Sequence, residues 1–228
     1  MRTMKIALLA ALFSVLWMGS ALADQTSRLK NATAVVNELR AAPDKGIPED
    51  LWNKAECVGV IPSVKKAAFI IGGEYGRGVM SCRAGKGWSA PVFLELEKGS
   101  WGFQIGAQEI DLVLLVMNRR GVEKLLDSKV ALGADASVAA GPIGRAAGAS
   151  TDAQMSAEIL SYSRAQGLFA GIDISGGMLK PDTDANKEIY HDVSPRDILL
   201  GGKEPVPAIA QDFVRTLSRE FRATTGRH

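Results

Sequence analysis

The period of apolar positions along this chain changes several times, and each change marks a different kind of element. Residues 6–18 are apolar throughout except for Ser14. A helical period follows, with Leu29, Ala32, Val35, Val36 and Leu39 on one face and Arg28, Lys30, Asn31, Glu38 and Arg40 elsewhere around the turn. Thr26 or Ser27 is the expected cap, and Pro43 lies past the end. A short second helix is predicted from Pro48, with Glu49 and Asp50 in its first turn and Trp52 facing inward. From Cys57 to about Met117 the period drops to two. Val58, Val60, Ala67, Phe69, Ile71, Val79, Val92, Leu94, Phe103 and Ile105 fall in short alternating runs, punctuated by glycines. Leu112 to Met117 is apolar on both faces, which suits a strand buried on two sides.

Beyond this block, Gly121 to Leu126 reads as a short helix. Residues 130–150 are almost all small, yet Leu132, Val138 and Ile143 among them argue for closely packed strands over a flexible linker. Glu158–Arg164 and Gly167–Ile174 are further strand candidates, the second with Leu168, Ala170, Ile172 and Ile174 in alternation. Asp184–His191 and Pro195–Leu200 are short helix candidates. Val206, Ile209, Ala210, Phe213, Val214, Leu217 and Phe221 then form a last apolar stripe, opposite Gln211, Asp212, Arg215, Arg219 and Arg222. Helices flanking a mostly antiparallel block of strands make an α+β fold, and no repeat or long linker divides it.

The apolar start changes the picture of where this domain works. Arg2 and Lys5 precede this 13-residue run, and Ala21-Leu22-Ala23 fits the small-x-small pattern cut by signal peptidase. Thirteen residues are short for a hydrocarbon core of about 30 Å, so a membrane anchor is the lesser alternative. The expected division is a cleaved leader, residues 1–23, and one exported domain, residues 24–228, in the periplasm or at the envelope surface. The whole chain has 27 basic and 25 acidic residues. Losing Arg2 and Lys5 evens that count, so attraction to an anionic partner has to come from a local patch. Cys57 and Cys82 are the two cysteines. In an oxidising compartment they suit a structural disulfide; two buried thiols on neighbouring strands are the alternative.

Catalytic chemistry finds little support in the pattern. The only histidines are His191 and His228, no G-x-S-x-G elbow occurs, and no metal-ligand spacing appears. Glu109 and Asp111 share one face of a strand, as paired carboxylates would, or form the polar edge of a half-buried one. Gly72 to Gly78 has the glycine density of a phosphate loop without its Gly-Lys-Ser/Thr ending, and reads as a hairpin turn. No cofactor is implied. What does recur is a basic, aromatic set: Lys65, Lys66, Arg77, Arg83, Lys86 and Lys98, expected in turns, with Tyr75, Trp88 and Trp101 nearby. That mixture suits an anionic headgroup boundary. It would also suit single-stranded nucleic acid, a partner that export makes improbable.

Five blocks carry a resemblance: Cys57–Val79, Trp88–Phe93, Gly102–Val113, Gly133–Arg145 and Tyr162–Gly171. In this order they resemble the SYLF domain across roughly residues 26–220. The resemblance implies a non-enzymatic module that binds anionic, phosphoinositide-type lipid, associated in some members with actin, and carried by bacteria as an exported stand-alone domain. It also implies an N-terminal amphipathic helix acting with basic surface residues. Here the helix would be Leu29–Leu39 with Arg28, Lys30 and Arg40 beside it, although docking against the sheet would use the same stripe. The expected lipid-binding set is Arg28, Lys30, Arg40, Lys65, Lys66, Arg77, Arg83 and Lys86. Actin is not an expected partner of an exported domain. A second reading is an envelope protein that binds a protein partner; a third is a hydrolase built on Asp111, Glu109 or His191.

Overall fold

The computed structural model describes residues 22–39, 46–68, 71–85, 87–101, 106–126, 129–143, 154, 156–165 and 168–220. Most of the leader, together with Arg40 and Lys86, therefore lies outside the described residues, and so does the side chain of Lys66.

Helix α1 spans residues 22–39. Its stripe of Leu29, Ala32, Val35, Val36 and Leu39 is buried in the core, so these apolar side chains are spent on packing. The helix runs through the expected caps: the Thr26 hydroxyl donates back to the Leu22 carbonyl at 2.9 Å, an interior bond. A short helix α2, Glu49–Lys54, follows.

The sheet begins with β1, Cys57–Ala68, and β2, Ile71–Ala84. It continues through β3, Gly87–Trp88, β4, Val92–Trp101, and β5, Gly106–Val116. After helix α3, Arg119–Leu125, come the short β6, Val130–Ala131, and β7, Val138–Ala140. Strands β8, Ile159–Ala165, β9, Leu168–Gly171, and β10, Gly177–Pro181, complete it. The strand order is β6-β10-β4-β2-β1-β5-β8-β7, with β3 beside β2 and β9 beside β8. Neighbours pair antiparallel, apart from β7 with β8. Helices α4, Thr183–Tyr190, α5, Pro195–Gly201, and α6, Gln211–Glu220, close the domain. The fold is α+β with terminal helices on a mostly antiparallel sheet, as the pattern predicts. Among the described residues no helix is long and apolar enough to cross a membrane.

Two expectations change. Gly72 to Gly78 is not a turn but lies inside the continuous strand β2. A Cβ at Gly78 would stand 2.3 Å from the Val60 carbonyl oxygen, and one at Gly76 would stand 2.7 Å from Ile61 and Val64 methyls. These glycines let β1 press against β2. As a result, Lys65 and Lys66 stand on β1, Arg77 and Arg83 on β2, and Lys98 on β4, not in turns. The expected strand to Ile174 ends instead at Gly171, and β10, whose short run ends in Pro181, was not foreseen.

Side-chain bonds anchor the helices. Asn186 of α4 accepts from the Phe93 N–H at 2.9 Å and donates to the Phe93 carbonyl at 2.8 Å, clamping the helix to β4. Asn118, Asp182 and Ser194 cap α3, α4 and α5. Cys57 and Cys82 are register partners on β1 and β2 and are joined as a disulfide.

Candidate functional site

The sheet's central hairpin and α1 bound a cleft of about 190 Å³, lined by Asp24, Ser27, Arg28 and Asn31 of α1, Pro62, Ser63 and Lys65 of β1, and Tyr75, Gly76 and Arg77 of β2. The helical residues recur at three- and four-residue spacing, which puts them on one face. On the strands, Lys65 is the register partner of Tyr75, and Arg77 lies two residues on, on the same side.

An irregularity in β1 shapes the lip. The register shifts between Val60 and Lys65 against β2 and between Ile61 and Val64 against β5. Pro62 has no N–H to give the ladder there, and Ser63 takes a left-handed φ of 55°. Asp111 of β5 accepts the Ser63 N–H at 2.9 Å and holds that conformation. Arg164 of β8 donates to the other Asp111 oxygen at 2.7 Å and also pairs with Glu38 of α1. Asp111 is therefore engaged by the fold. Glu109 is exposed beside it, and His191 is an exposed residue just past α4.

Arg28 forms the inner wall. It is 6 % exposed, donates to Asp182 at 2.8 Å and stacks over the Phe93 ring at 5.4 Å. That pair ties α1 to the start of α4, and it takes Arg28 off the surface where the sequence placed it. Its Nη2 is buried without a hydrogen-bond partner, and the Asp24 carboxylate stands 3.5 Å away. Asp24 instead receives the Arg77 fork, at 2.9 Å and 3.2 Å. Tyr75, 44 % exposed, donates to Glu95 at 3.1 Å. Burial first, then the Glu95 charge and that bond, push its phenol up, so it stays a protonated donor.

The other expected cations scatter. Lys30 is exposed on α1 but does not line the cleft. Arg83 is half-buried and structural: it donates to the carbonyls of Ala55, Asn53 and Trp52, closing the end of α2, and stacks on Trp88 at 5.1 Å. Thus Arg28, Lys65 and Arg77 of the expected set converge. Asp24, Ser27, Asn31 and Ser63 were missed, although the helical spacing of the first three and the proline inside a strand run at Pro62 carried the signal. Among the described residues no group of three or more His, Cys, Asp and Glu is placed to hold a metal.

Comparison with known proteins adds a second line. The family model Ysc84, described as Las17-binding protein actin regulator, matches residues 97–220, more than half of the chain. SH3 domain-containing YSC84-like protein 1 of Rattus norvegicus is 34% identical over 200 residues, covering 84% of this chain and 58% of that protein. Protein YSC84 of Saccharomyces cerevisiae is 32% identical over 190 residues, covering 81% of this chain and 40% of its own. LAS seventeen-binding protein 3 of the same yeast is 32% identical over 183 residues, covering 78% and 40%. The chain spans about half the length of the curated relatives it matches.

Proposed function

The chain belongs to the Ysc84 (SYLF) family, and from that membership we propose that it binds anionic phospholipid headgroups at a membrane surface, without chemistry of its own. The family description and the yeast relative's name are those of binding and regulator proteins. The observation that carries the lipid reading is the convergence of Lys65 and Arg77, both exposed and on neighbouring strands, around the exposed ring of Tyr75. Each such cation near an anionic surface contributes about 1 kcal/mol. Carboxylates stand close by: Glu109 is the register partner of Lys65, and Glu95 that of Arg77. Binding is accordingly weak and salt-sensitive. The docked stripe of α1 takes no part, because exposing it would uncover the core. Export through the leader 1–23, to the periplasm or envelope surface, belongs to the same proposal.

The test is flotation of residues 24–228, the chain without its expected leader, with neutral and anionic vesicles at low and physiological salt. Salt-sensitive binding above the neutral baseline, reduced in the Lys65→Ala and Arg77→Ala variants, is the expected result. Equal flotation with both vesicle types sinks the reading. It would favour the second reading, a protein partner, which the words Las17-binding in the family description motivate.

A further inference from the structure

The cations at the cleft do not face an empty mouth. We infer that the cleft between α1 and the β1–β2 hairpin is an anion pocket that the chain keeps occupied with its own Asp24 carboxylate, so that a phosphate-type anion enters by displacing that side chain. The inference rests on the headgroup reading and adds where the anion sits and what opposes it.

Three elements each supply one cation to the lining: Arg28 from α1, Lys65 from β1 and Arg77 from β2. Ser27, Asn31 and Ser63 add neutral polar groups. The volume of about 190 Å³ is below the roughly 300 Å³ at which drug-sized sites begin. An acyl chain is too large for it, and a phosphate with its nearest ester atoms is not.

The inner wall lacks an acceptor. The guanidinium of Arg28 is fixed from behind by Asp182 and Phe93, while its Nη2 is buried and has no hydrogen-bond partner. A buried charged donor left in that state is costly, and an incoming oxygen relieves it. Asp24 reaches this nitrogen only as an ion pair at 3.5 Å, without a hydrogen bond, and accepts its hydrogen bonds from Arg77. One carboxylate has two oxygens and one charge. A phosphate has more of both, enough to take the Arg77 fork, the Lys65 ammonium and Nη2 together. The pair it must break is half-exposed, at 43% and 40%, and exposed pairs are weak.

The experiment titrates inorganic phosphate into the full chain and into the Asp24→Asn and Arg77→Ala variants, with folding checked by circular dichroism. It then repeats the comparison, with residues 1–23 removed from each form, on phosphatidic acid vesicles against neutral ones. Removing one charge at this range is worth about fivefold, so Asp24→Asn is expected to bind phosphate about fivefold tighter than the parent, and Arg77→Ala about fivefold weaker. The same order on vesicles identifies a lipid headgroup as the source of the anion. The order with phosphate alone identifies free phosphate, which keeps the pocket and discards the membrane reading. Unchanged or weaker phosphate binding by Asp24→Asn, or no binding by any form, overturns the pocket. Salt-sensitive vesicle binding that ignores both substitutions would also overturn it, and would move headgroup binding to a surface away from the cleft.

Discussion

Removing the Arg28 guanidinium would leave Asp182 a buried carboxylate with little more than the Ala185 N–H to answer its charge. Breaking a buried pair from one side costs about 3 kcal/mol or more, because the surviving charge stays desolvated. Arg28→Ala should therefore lower the urea midpoint by that equivalent, and adding Asp182→Asn should restore part of it. An unchanged midpoint would mean that water reaches Asp182. The helical pattern correctly put Arg28 on α1, but its burial was not legible there. Its partner is 154 residues away in sequence, and no periodicity in a helix reports what the chain brings over it later. Asp24 is the opposite case: its spacing from Arg28 is local, and only its role was overlooked.

Between elements, Glu158 is the charge that holds α3 against the parallel pair of β7 and β8. It pairs with Lys124 at 2.8 Å and Arg120 at 3.3 Å, and accepts the Ser137 N–H at 2.9 Å. Burial alone pushes its carboxyl up, but the Lys124 and Ser137 bonds and the two cations outweigh burial and hold it below its ordinary value. The stability this contributes is present above the unfolded value of roughly 4.3 and is lost as pH falls through the lower folded value. Glu158→Gln should accordingly be destabilised most at neutral pH, with the gap to the parent closing toward pH 3 in urea titrations. A constant gap would assign the effect to packing. Element type was legible in α1 and α6, where the helical period was clean, and in β5, where an unbroken apolar run marked a strand covered on both faces. It failed at Gly76 and Gly78, where glycine marks the close approach of β1 and not a turn. Composition cannot distinguish those two uses. The strand β10 escaped because five residues ending in proline leave too short a period to read.

At the scale of the molecule, the proposed export and the cleft meet at one peptide bond. The expected cleavage falls between Ala23 and Asp24, at the N-terminal side of the very residue whose carboxylate closes the pocket. The fold tolerates that cut. Only Leu22 and Ala23 of α1 would be lost, both exposed, together with the Thr26–Leu22 bond, while the buried stripe begins later, at Leu29. The cut would leave a new α-ammonium on Asp24, protonated below a pH of about 7.7 to 8. It would therefore add a cation at the mouth of a cleft whose other cations are partly neutralised by Asp24 and Glu95. An uncut leader has the reverse consequence: its largely apolar run of 13 residues would tether the chain and make any membrane association indifferent to headgroup charge. Intact-mass measurement on protein recovered from the envelope fraction separates the two. A chain beginning at Asp24 is the expected result, with flotation then restricted to anionic vesicles. A mass that retains residues 1–23 would instead make the N-terminus an anchor and move membrane attachment from the cleft to the apolar start.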